Sequence, residues 1–466
     1  MSTEATSSEA PPEWDAFFDD DDAEDGVEFI PASGEGKPPH SEIDISSKEF
    51  WAQTSEERDE RFKQLRETDP VSWQRPVEDA VTPDPDDPGY WALVKHADIV
   101  RVSRDNDTFI SGQGVLFDLL PEIFLQMTQS FLAMDNPKHD KLRKLVASAF
   151  TPRQVRRLEA QIATAAKEIV DSFASDPSGE IDFVERCGER LPERIFCDMF
   201  GIPEDMRTRT VKAAGDIVAW ADPEHLAGRP ADEVQVEAAA ALHEIAEELI
   251  NARKENPTED LFSSLMNAEI DGEKLDDFDI GAFFVLMSVA GTDTTKHTSA
   301  FTVRAMTHGR DQQRWLAEDF DGRIDTAVEE FVRYASPVMT FRRTAVKETE
   351  LGGKTILPGD KVVFFYPSGN QDTDVFTEPE RFDLSRSPNP HVGFGGGGVH
   401  YCLGNMLAKS ALRELFRQLL TRIPDFEAGE PELLGTNFMR GVKRMPFRFT
   451  PETERSGARP AAPEKG

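Results

Sequence analysis

Cysteine is scarce in this chain of 466 residues, which contains only three, Cys187, Cys197 and Cys402. So few cysteines cannot form the disulfide framework of a secreted protein, and they are typical of a reducing compartment. Cys187 and Cys197 stand in apolar, helical-looking segments that have no matching histidines. We therefore expect both to be buried structural thiols rather than metal ligands, which leaves Cys402 for chemistry.

Basic residues and long apolar runs are also in short supply. The chain has 52 Lys and Arg against 87 Asp and Glu, a formal net charge of −35. Such a surface repels nucleic acids and anionic membranes, because both are bound through basic patches. No apolar run reaches the roughly 20 residues that cross a bilayer, and the N-terminus lacks the basic and apolar regions of a signal peptide. We therefore expect a cytoplasmic protein with no nucleic-acid partner and no stable membrane insertion.

The two ends of the chain differ in composition from its body. Residues 1–40 hold twelve Asp or Glu and a single Lys, and few of their side chains could form a core. We expect residues 1–44 to be a disordered acidic tail and residues 451–466 to be a flexible tail. The remaining residues, 45–450, are enough for one large enzyme domain.

A glycine-rich stretch ending in cysteine, residues 394–404, is the strongest local signal. Four glycines follow Phe394, and an amphipathic helical pattern then runs from Cys402 to Arg422. The start of a helix favours a thiolate over a thiol, so Cys402 is a candidate ligand or nucleophile. A nucleophile would need a base, which His400 could provide. The glycines instead favour a large flat group lying against the backbone, such as an iron porphyrin.

Two further segments carry polar residues in patterns that suggest chemistry. The helix that begins after residue 135 places His139 and Arg143 on one face, which suits a carboxylate or phosphate, although a solvated face has the same pattern. Within the helical pattern over residues 275–308, the stretch Ile280–Ala290 is almost wholly apolar, and Asp293 and Thr294 follow. Polar groups in a buried helix are costly unless they form hydrogen bonds or take part in reactions. They indicate proton delivery at a kink, or simply a kinked core helix.

These segments together resemble the cytochrome P-450 monooxygenases. The cysteine loop has the family's Phe, glycines, His two residues before Cys, and Gly two residues after it. The resemblance covers residues 45–450 and includes a Glu330-x-x-Arg333 motif, whose third partner in the family matches Arg386 or, as a rival, Arg381. It implies a single, mostly α-helical domain with a small β-rich subdomain. Haem would lie between the helix of Thr294 and the loop of Cys402.

The resemblance also implies a set of site residues. Cys402 would bind the iron of haem b as a thiolate, with Phe394 and Gly404 completing the loop. The haem propionates would be held by His139, Arg143, Arg343 and His400. Arg342 points to the opposite side of its strand from Arg343, and its role stays ambiguous. Asp293 and Thr294 match the acid and the alcohol of the family's proton relay.

The implied reaction inserts one oxygen atom of O2 into a C–H bond of an apolar substrate. An extra glycine after Phe394 is similar to the actinobacterial subgroup that hydroxylates the terminal carbon of methyl-branched lipids and sterol side chains, which favours a lipid, sterol or terpenoid substrate. Candidate substrate contacts are apolar residues that could equally belong to the core: Phe117, Met287, Ala290, Val338, Met339 and Phe438.

Electrons would come from NAD(P)H through a separate ferredoxin and ferredoxin reductase, because the chain shows no flavin or ferredoxin segment. The ferredoxin would dock on basic residues near the cysteine loop: Lys138, Lys141, Lys144, Lys409 and Arg413. Two alternatives remain open from the sequence. One is a non-catalytic haem-thiolate binding or sensing protein, and the other is a peroxide-driven oxygenase.

Overall fold

The computed structural model describes residues 29–453 except 219, 221 and 271, and these residues form a mainly helical body with a β-rich side. The helices before residue 230 are α1 Lys48–Trp51, α2 Ser55–Thr68, α3 His96–Arg104, α4 Glu122–Met127, α5 Lys138–Ala149, α6 Pro152–Asp171, α7 Arg190–Phe200, α8 Glu204–Val218 and α9 Pro223–Leu226. The later helices are α10 Ala231–Glu255, α11 Leu261–Met266, α12 Asp277–Ala290, α13 Asp293–His308, α14 Arg310–Glu318, α15 Phe320–Ala335, α16 Tyr366–Gly369 and α17 Asn405–Arg422. The expected fold class, mostly α with a small β-rich part, is confirmed.

Local sequence signals explain where several helices begin. Helix α2 begins at Ser55, where Thr54 and Glu57 form a reciprocal capping box. Asp276 caps α12 by accepting a hydrogen bond from the backbone N–H of Asp279 at 2.7 Å. The helix predicted to begin at Cys402 instead begins at Asn405. Cys402 therefore lies in the loop just before the helix rather than within its first turn.

The main sheet has five strands in the order β1, β2, β10, β7, β3. These strands are β1 Val71–Gln74, β2 Tyr90–Leu93, β3 Phe109–Ile110, β7 Thr340–Ala345 and β10 Lys361–Phe365. Strand β10 runs parallel to β2, and the other neighbours are antiparallel. In the β7–β10 pair, Arg343 lies opposite Val362. Arg343 therefore lies on the same face of the sheet as Val362, and Arg342 lies on the opposite face with Val363.

Shorter strands complete the β-rich part in small sheets and hairpins. They are β4 Glu180–Asp182, β5 Glu269–Ile270, β6 Glu273–Lys274, β8 Thr349–Leu351, β9 Lys354–Ile356, β11 Glu427–Ala428, β12 Glu432–Leu433, β13 Val442–Arg444 and β14 Pro446–Arg448. Gly352 and Gly353 form the hairpin turn between β8 and β9, and both have positive φ. Within the described ranges, no helix is both long and apolar enough to span a bilayer.

Residues 29–44 depart from the expected tail. The Lys37 ammonium is buried, pairs with Asp360 at 2.6 Å, and lies over the rings of Trp73 and Trp91. His40 stacks on Trp73 as well. The boundary expected at residue 44 is therefore corrected for residues 29–44, because the Lys37 cation lies over two neighbouring indole rings and ties this segment to the main sheet. The expectation for residues 1–28 lies outside the described residues, as does that for residues 454–466.

Candidate active site

A cavity lies between the α12–α13 helices and the glycine–cysteine loop. Its wall on the helix side includes Met287, Ala290 and Thr294, and its wall on the loop side includes Phe394 and Cys402. Residues about a hundred positions apart in sequence therefore face each other across one space. This is the two-sided arrangement that the resemblance to the cytochrome P-450 family implied for a bound planar group.

The helix on one side of the cavity is interrupted at Gly291 and Thr292, which separate α12 from α13. Hydroxyl groups take the carbonyls that the interrupted helix leaves available: Thr292 Oγ1 donates to Ser288 O at 2.6 Å, and Thr294 Oγ1 donates to Ala290 O at 2.9 Å. The local opening expected from these threonines is confirmed. The Thr294 side chain lies on the cavity wall.

Asp293 does not line the cavity. Its buried carboxylate forms an ion pair with Lys296 one turn along α13, and His297 Nε2 lies 4.0 Å from it. Glu189 and Glu193 add negative charge near Lys296, and burial raises the pKa of Glu193 to about 7. The acid and the alcohol predicted at adjacent positions thus face different surroundings, a charged cluster for Asp293 and the cavity for Thr294.

The glycines after Phe394 have two different roles. Gly395, with φ of +95°, lines the cavity, and a Cβ placed on it would contact nothing closer than 4.0 Å. Gly398, with φ of +77°, lies so close to α3 that a Cβ would come within 2.3 Å of Ser103 O. The expectation that all four glycines admit a flat group is therefore wrong for the later ones, which allow close packing against α3.

Cys402 sits on the loop side of the cavity. Its backbone N–H donates to Phe394 O at 3.1 Å, which closes the loop. Burial raises the pKa of the Cys402 thiol, while the backbone N–H of Gly404 and the cations Arg143 and Lys409 act to lower it. The surroundings therefore combine a buried sulfur with nearby positive charge, which suits a thiolate whose own charge is shared with a bound cation.

Basic side chains gather at one edge of the cavity. His139 and His400 are 4.4 Å apart between ring centroids, and Arg343 and Arg143 line the cavity beside them. His139 Nε2 and His400 Nδ1 are buried and have no hydrogen-bond partner among the described residues. Burial, followed by the charges of Arg343, His139 and Arg143, lowers the pKa of His400 to about 2. Such a cluster of donors calls for an anion.

Arg342 and Arg343, the two arginines of β7, point to opposite faces of the sheet because they are adjacent on the strand. Arg342 points away from the cavity and donates to Gln113 O at 2.6 Å. Arg343 lies over the ring of Phe364 and donates to Arg342 O at 2.7 Å. Within the described residues, no carboxylate forms a salt bridge with Arg343. Because a buried charge without a partner is costly, Arg343 also favours the binding of an anion at this edge of the cavity.

The predicted network of Glu330, Arg333 and a second arginine is confirmed. Glu330 accepts hydrogen bonds from Arg333 Nε at 2.7 Å and from Arg386 Nε at 3.2 Å, and all three side chains are buried. Arg381, the rival third member, contributes its backbone carbonyl, while its own side chain is exposed and lies 3.7 Å from Glu378. The network therefore uses Arg386.

The predicted substrate contacts divide into two groups. Met287, Ala290 and Val338 lie on the cavity wall. Phe117 and Met339 do not, because they pack in the cluster that contains Trp51, Tyr90 and Phe365. Phe438 does not line the cavity either, since it packs against Trp220 and Phe341 with ring centroids 5.7 Å away in both cases. These three predictions are corrected to core or second-layer positions.

Several cavity residues were not predicted from the sequence. Pro192 and Ile195 of α7 reach the wall, as do Phe341 of β7 and Tyr366 at the start of α16. Ser111 also belongs to the site, because its hydroxyl lies 3.0 Å from His400 Nε2. The apolar face of α7 gave only a general signal of burial, and a single serine in a loop gave none.

Comparisons with known proteins agree with this geometry. Residues 90–424 match the family model described as Cytochrome P450. A methyl-branched lipid omega-hydroxylase of Mycobacterium tuberculosis is 39% identical over 418 residues, covering 88% of this chain and 96% of the relative. A steroid C26-monooxygenase of Mycolicibacterium smegmatis is 36% identical over 400 residues, covering 84% and 90%.

Among solved structures, a cytochrome P450 of Mycobacterium marinum, CYP268A2 in complex with pseudoionone, superposes with a TM-score of 0.85 at 53% identity. The match covers 89% of this chain and all of that one. The chain therefore belongs to the cytochrome P450 family, whose members are haem-thiolate monooxygenases. The family implies haem held by a cysteine thiolate.

The residues present fit haem. A cysteine sulfur faces the cavity from one wall, the opposite wall is apolar apart from its threonines, and unpaired ring nitrogens and arginines gather at one edge. A planar macrocycle that carries two carboxylates at one edge satisfies all three observations. In particular, His139 Nε2 and His400 Nδ1 would gain the partners that buried nitrogens normally have.

Proposed function

We propose that this cytochrome P450 binds haem b through the Cys402 thiolate and hydroxylates an apolar substrate, a lipid, sterol or terpenoid, at a terminal carbon. The observation that carries the proposal is the cavity itself, in which a cysteine faces a broken helix across an otherwise apolar space. The relatives named above support the substrate class, because they include proteins named for methyl-branched lipids and steroids and one bound to pseudoionone.

His139, Arg143, Arg343 and His400 would hold the two haem propionates. Arg143 already donates to Tyr401 O at 2.5 Å, so it links α5 to the residue before the ligand. Phe394 and Gly404 line the cavity beside Cys402 and keep the loop in place. When bound, haem with a thiolate ligand supplies the electron density that favours O–O cleavage and oxidation of a C–H bond.

Thr294 and Asp293 would deliver protons to the cavity. The Thr294 hydroxyl donates to Ala290 O, so its oxygen lone pairs remain available to accept a hydrogen bond in the cavity. Asp293 is held by Lys296 on the other side of the same turn, close to the half-buried Glu189 and Glu193. Protons would enter at this charged cluster and reach the cavity where Gly291 and Thr292 interrupt the helix.

The apolar wall would orient the substrate. Phe131, Pro192, Ile195, Leu286 and Val338 offer contact without hydrogen-bonding partners, so they exclude water and bind an aliphatic chain through burial alone. Phe341 adds an aromatic surface, with Phe438 packed behind it. Selectivity would therefore depend on shape rather than on polar recognition.

Electrons would arrive from NAD(P)H through a separate ferredoxin and its reductase. Three of the five basic residues expected to receive the ferredoxin form ion pairs in the structure: Lys141 with Glu273, Lys409 with Glu329, and Arg413 with Asp325. Lys138 and Lys144 are exposed on α5. Docking would therefore rely on α5 more than on α17.

The test combines spectroscopy with turnover. The ferrous carbonyl complex should absorb at the thiolate-specific Soret position, and Cys402→Ala should abolish that band, while Cys187→Ala, which alters a buried thiol elsewhere in the core, should keep it. A spectrum typical of histidine ligation would contradict the proposal. Substrate class is then tested by spectral titration with straight-chain fatty acids, methyl-branched lipids, sterols and terpenes. Mass spectrometry of products, formed with a surrogate ferredoxin and reductase, locates the hydroxyl group.

A further inference from the structure

Helices α15 and α17 are joined by three successive ion pairs. Asp321 pairs with Arg417 at 2.8 Å, Asp325 with Arg413 at 2.6 Å, and Glu329 with Lys409 at 2.6 Å. The residues recur every four positions on both helices, so the three pairs form a ladder along the contact between them. The last pair, Glu329–Lys409, lies at the end of the ladder nearest the cysteine loop.

Lys409 contacts that loop directly. Its ammonium lies 5.3 Å from the centroid of the Phe394 ring, a cation–π distance. The carbonyl of Phe394 in turn accepts the backbone N–H of Cys402 at 3.1 Å. Phe394 therefore contacts Lys409 through its ring and Cys402 through its backbone carbonyl.

Glu329 also holds His391 against the same ring. His391 Nδ1 accepts the backbone N–H of Gly393 at 3.1 Å, so its Nε2 carries the proton that is donated to Glu329 at 3.0 Å. The rings of His391 and Phe394 have centroids 5.7 Å apart. Burial acts to raise the pKa of Glu329, but the hydrogen bonds from His391 and Lys409 bring it below its ordinary value. The glutamate is therefore ionised and anchors both neighbours of Phe394.

We propose that Glu329 is a positioning residue for the cysteine ligand. By holding Lys409 and His391 against Phe394, it offsets a positive charge beside the Cys402 sulfur and so sets how readily the bound iron is reduced. Reduction adds one negative charge to the site. An uncompensated Lys409 would favour reduction, and removal of Lys409 would oppose it. The inference rests on the haem-thiolate function proposed above.

The test is the one-electron reduction equilibrium of the purified, haem-loaded protein, followed by potentiometric titration without substrate. Glu329→Gln should raise the equilibrium constant for reduction by about fivefold, the scale expected of a unit charge at the edge of a buried site. Lys409→Met should lower it by a similar factor. Opposite signs are the decisive result, because loosening of the loop alone would move both variants in the same direction.

The next pair along the ladder provides matched controls. Asp325→Asn and Arg413→Gln remove the same charges from an ion pair of the same length, but Asp325 is largely exposed and the pair lies one turn further from Phe394. Both should leave the equilibrium within about a factor of two of the wild type. Equal shifts in the Glu329 and Asp325 variants, or shifts of one sign in the Glu329 and Lys409 variants, would overturn the inference.

The outcome can be separated from failure of the proposed function. If the wild type lacks a thiolate spectrum, the assignment of Cys402 as the iron ligand fails. If the thiolate spectrum is present and the variants share the wild-type reduction equilibrium, the role of Glu329 alone is overturned.

Discussion

His139 and His400 lie with their ring centroids 4.4 Å apart, and each has one buried nitrogen without a hydrogen-bond partner among the described residues. The two rings come from α5 and from the loop before Cys402, so an anion between them would connect both elements. Each ring is fixed by its other nitrogen, His139 through Asp140 and His400 through Ser111. The pair is therefore oriented before any carboxylate binds.

Replacement of His400 by Phe should weaken haem retention. The change keeps a flat buried ring but removes the nitrogen, and a hydrogen bond to a charged group contributes about 1.5–3 kcal/mol. Haem transfer to apomyoglobin should therefore become faster by about tenfold or more. His40→Phe, an exposed ring that stacks on Trp73, is the control and should transfer haem at the wild-type rate. Equal rates for His400→Phe and the wild type would contradict the propionate role.

Replacement of Thr294 by Ala should separate oxygen consumption from product formation. The cavity loses its hydroxyl while the apolar wall remains, so substrate binding should persist and hydroxylated product per electron should fall about tenfold. Thr302→Ala is the control, because Thr302 is buried on the same helix and donates to Thr298 O at 2.7 Å without lining the cavity. A Thr294→Ala variant with unchanged yield per electron would argue against a proton role.

Lys296 should stabilise the protein chiefly through Asp293. Lys296→Met leaves a buried carboxylate without its principal cation, and breaking such a pair costs about 3 kcal/mol of unfolding free energy. The double variant Asp293→Asn with Lys296→Met should recover part of this loss, as measured by urea denaturation. Lys254→Met, which breaks an exposed pair with Asp277, should cost about 0.5 kcal/mol or less. Strict additivity of the Asp293 and Lys296 changes would show that the pair is not coupled.

Arg386 and Arg381 should differ sharply in their importance. Arg386→Leu removes one of two cations from the fully buried Glu330, and about 3 kcal/mol of unfolding free energy should be lost. Arg381→Leu changes an exposed side chain and should cost about 0.5 kcal/mol or less. Denaturant unfolding of both variants, with haem content as a second measure, checks the difference. Similar losses would contradict the assignment of Arg386 to the network.

His297 should make the protein sensitive to acid. Its buried ring accepts the backbone N–H of Val442 at 3.1 Å, and burial, followed by the charge of Lys296, lowers its pKa from 6.5 to about 3. Between these values the unfolded chain binds a proton that the folded protein does not. The stability that the neutral His297 ring contributes is therefore fully present above pH 6.5. As the pH decreases toward 3, the free energy of unfolding falls by up to about 1.4 kcal/mol per pH unit.

His297→Asn should consequently flatten the pH dependence of the unfolding free energy between pH 4 and 6 by about one proton. Urea denaturation at several pH values measures the slope. His308→Asn, which alters an exposed residue at the end of the same helix, should keep the wild-type slope. Parallel slopes for His297→Asn and the wild type would rule out this source of acid sensitivity.

The sequence by itself determined the family-defining features, because each depends on residues close together in the chain. The glycine–cysteine loop, the broken helix at Gly291 and the hairpin at Gly352 are local consequences of glycine conformations and hydroxyl hydrogen bonds. The Glu330 and Arg333 pair likewise follows from spacing on one helix. The fold class and the two walls of the cavity were then implied by the resemblance of these features to the cytochrome P-450 family.

Only the tertiary structure decided which side chains reach the cavity and which charges meet. Phe117 and Pro192 are both apolar, yet packing places the first in the core and the second on the wall. The sequence placed Asp293 beside Thr294, but it did not show that Lys296 holds the carboxylate outside the cavity. The ladder that ends at Glu329 and Lys409 likewise required the contact between α15 and α17. Such relationships depend on long-range packing and side-chain direction, which spacing along the chain does not specify.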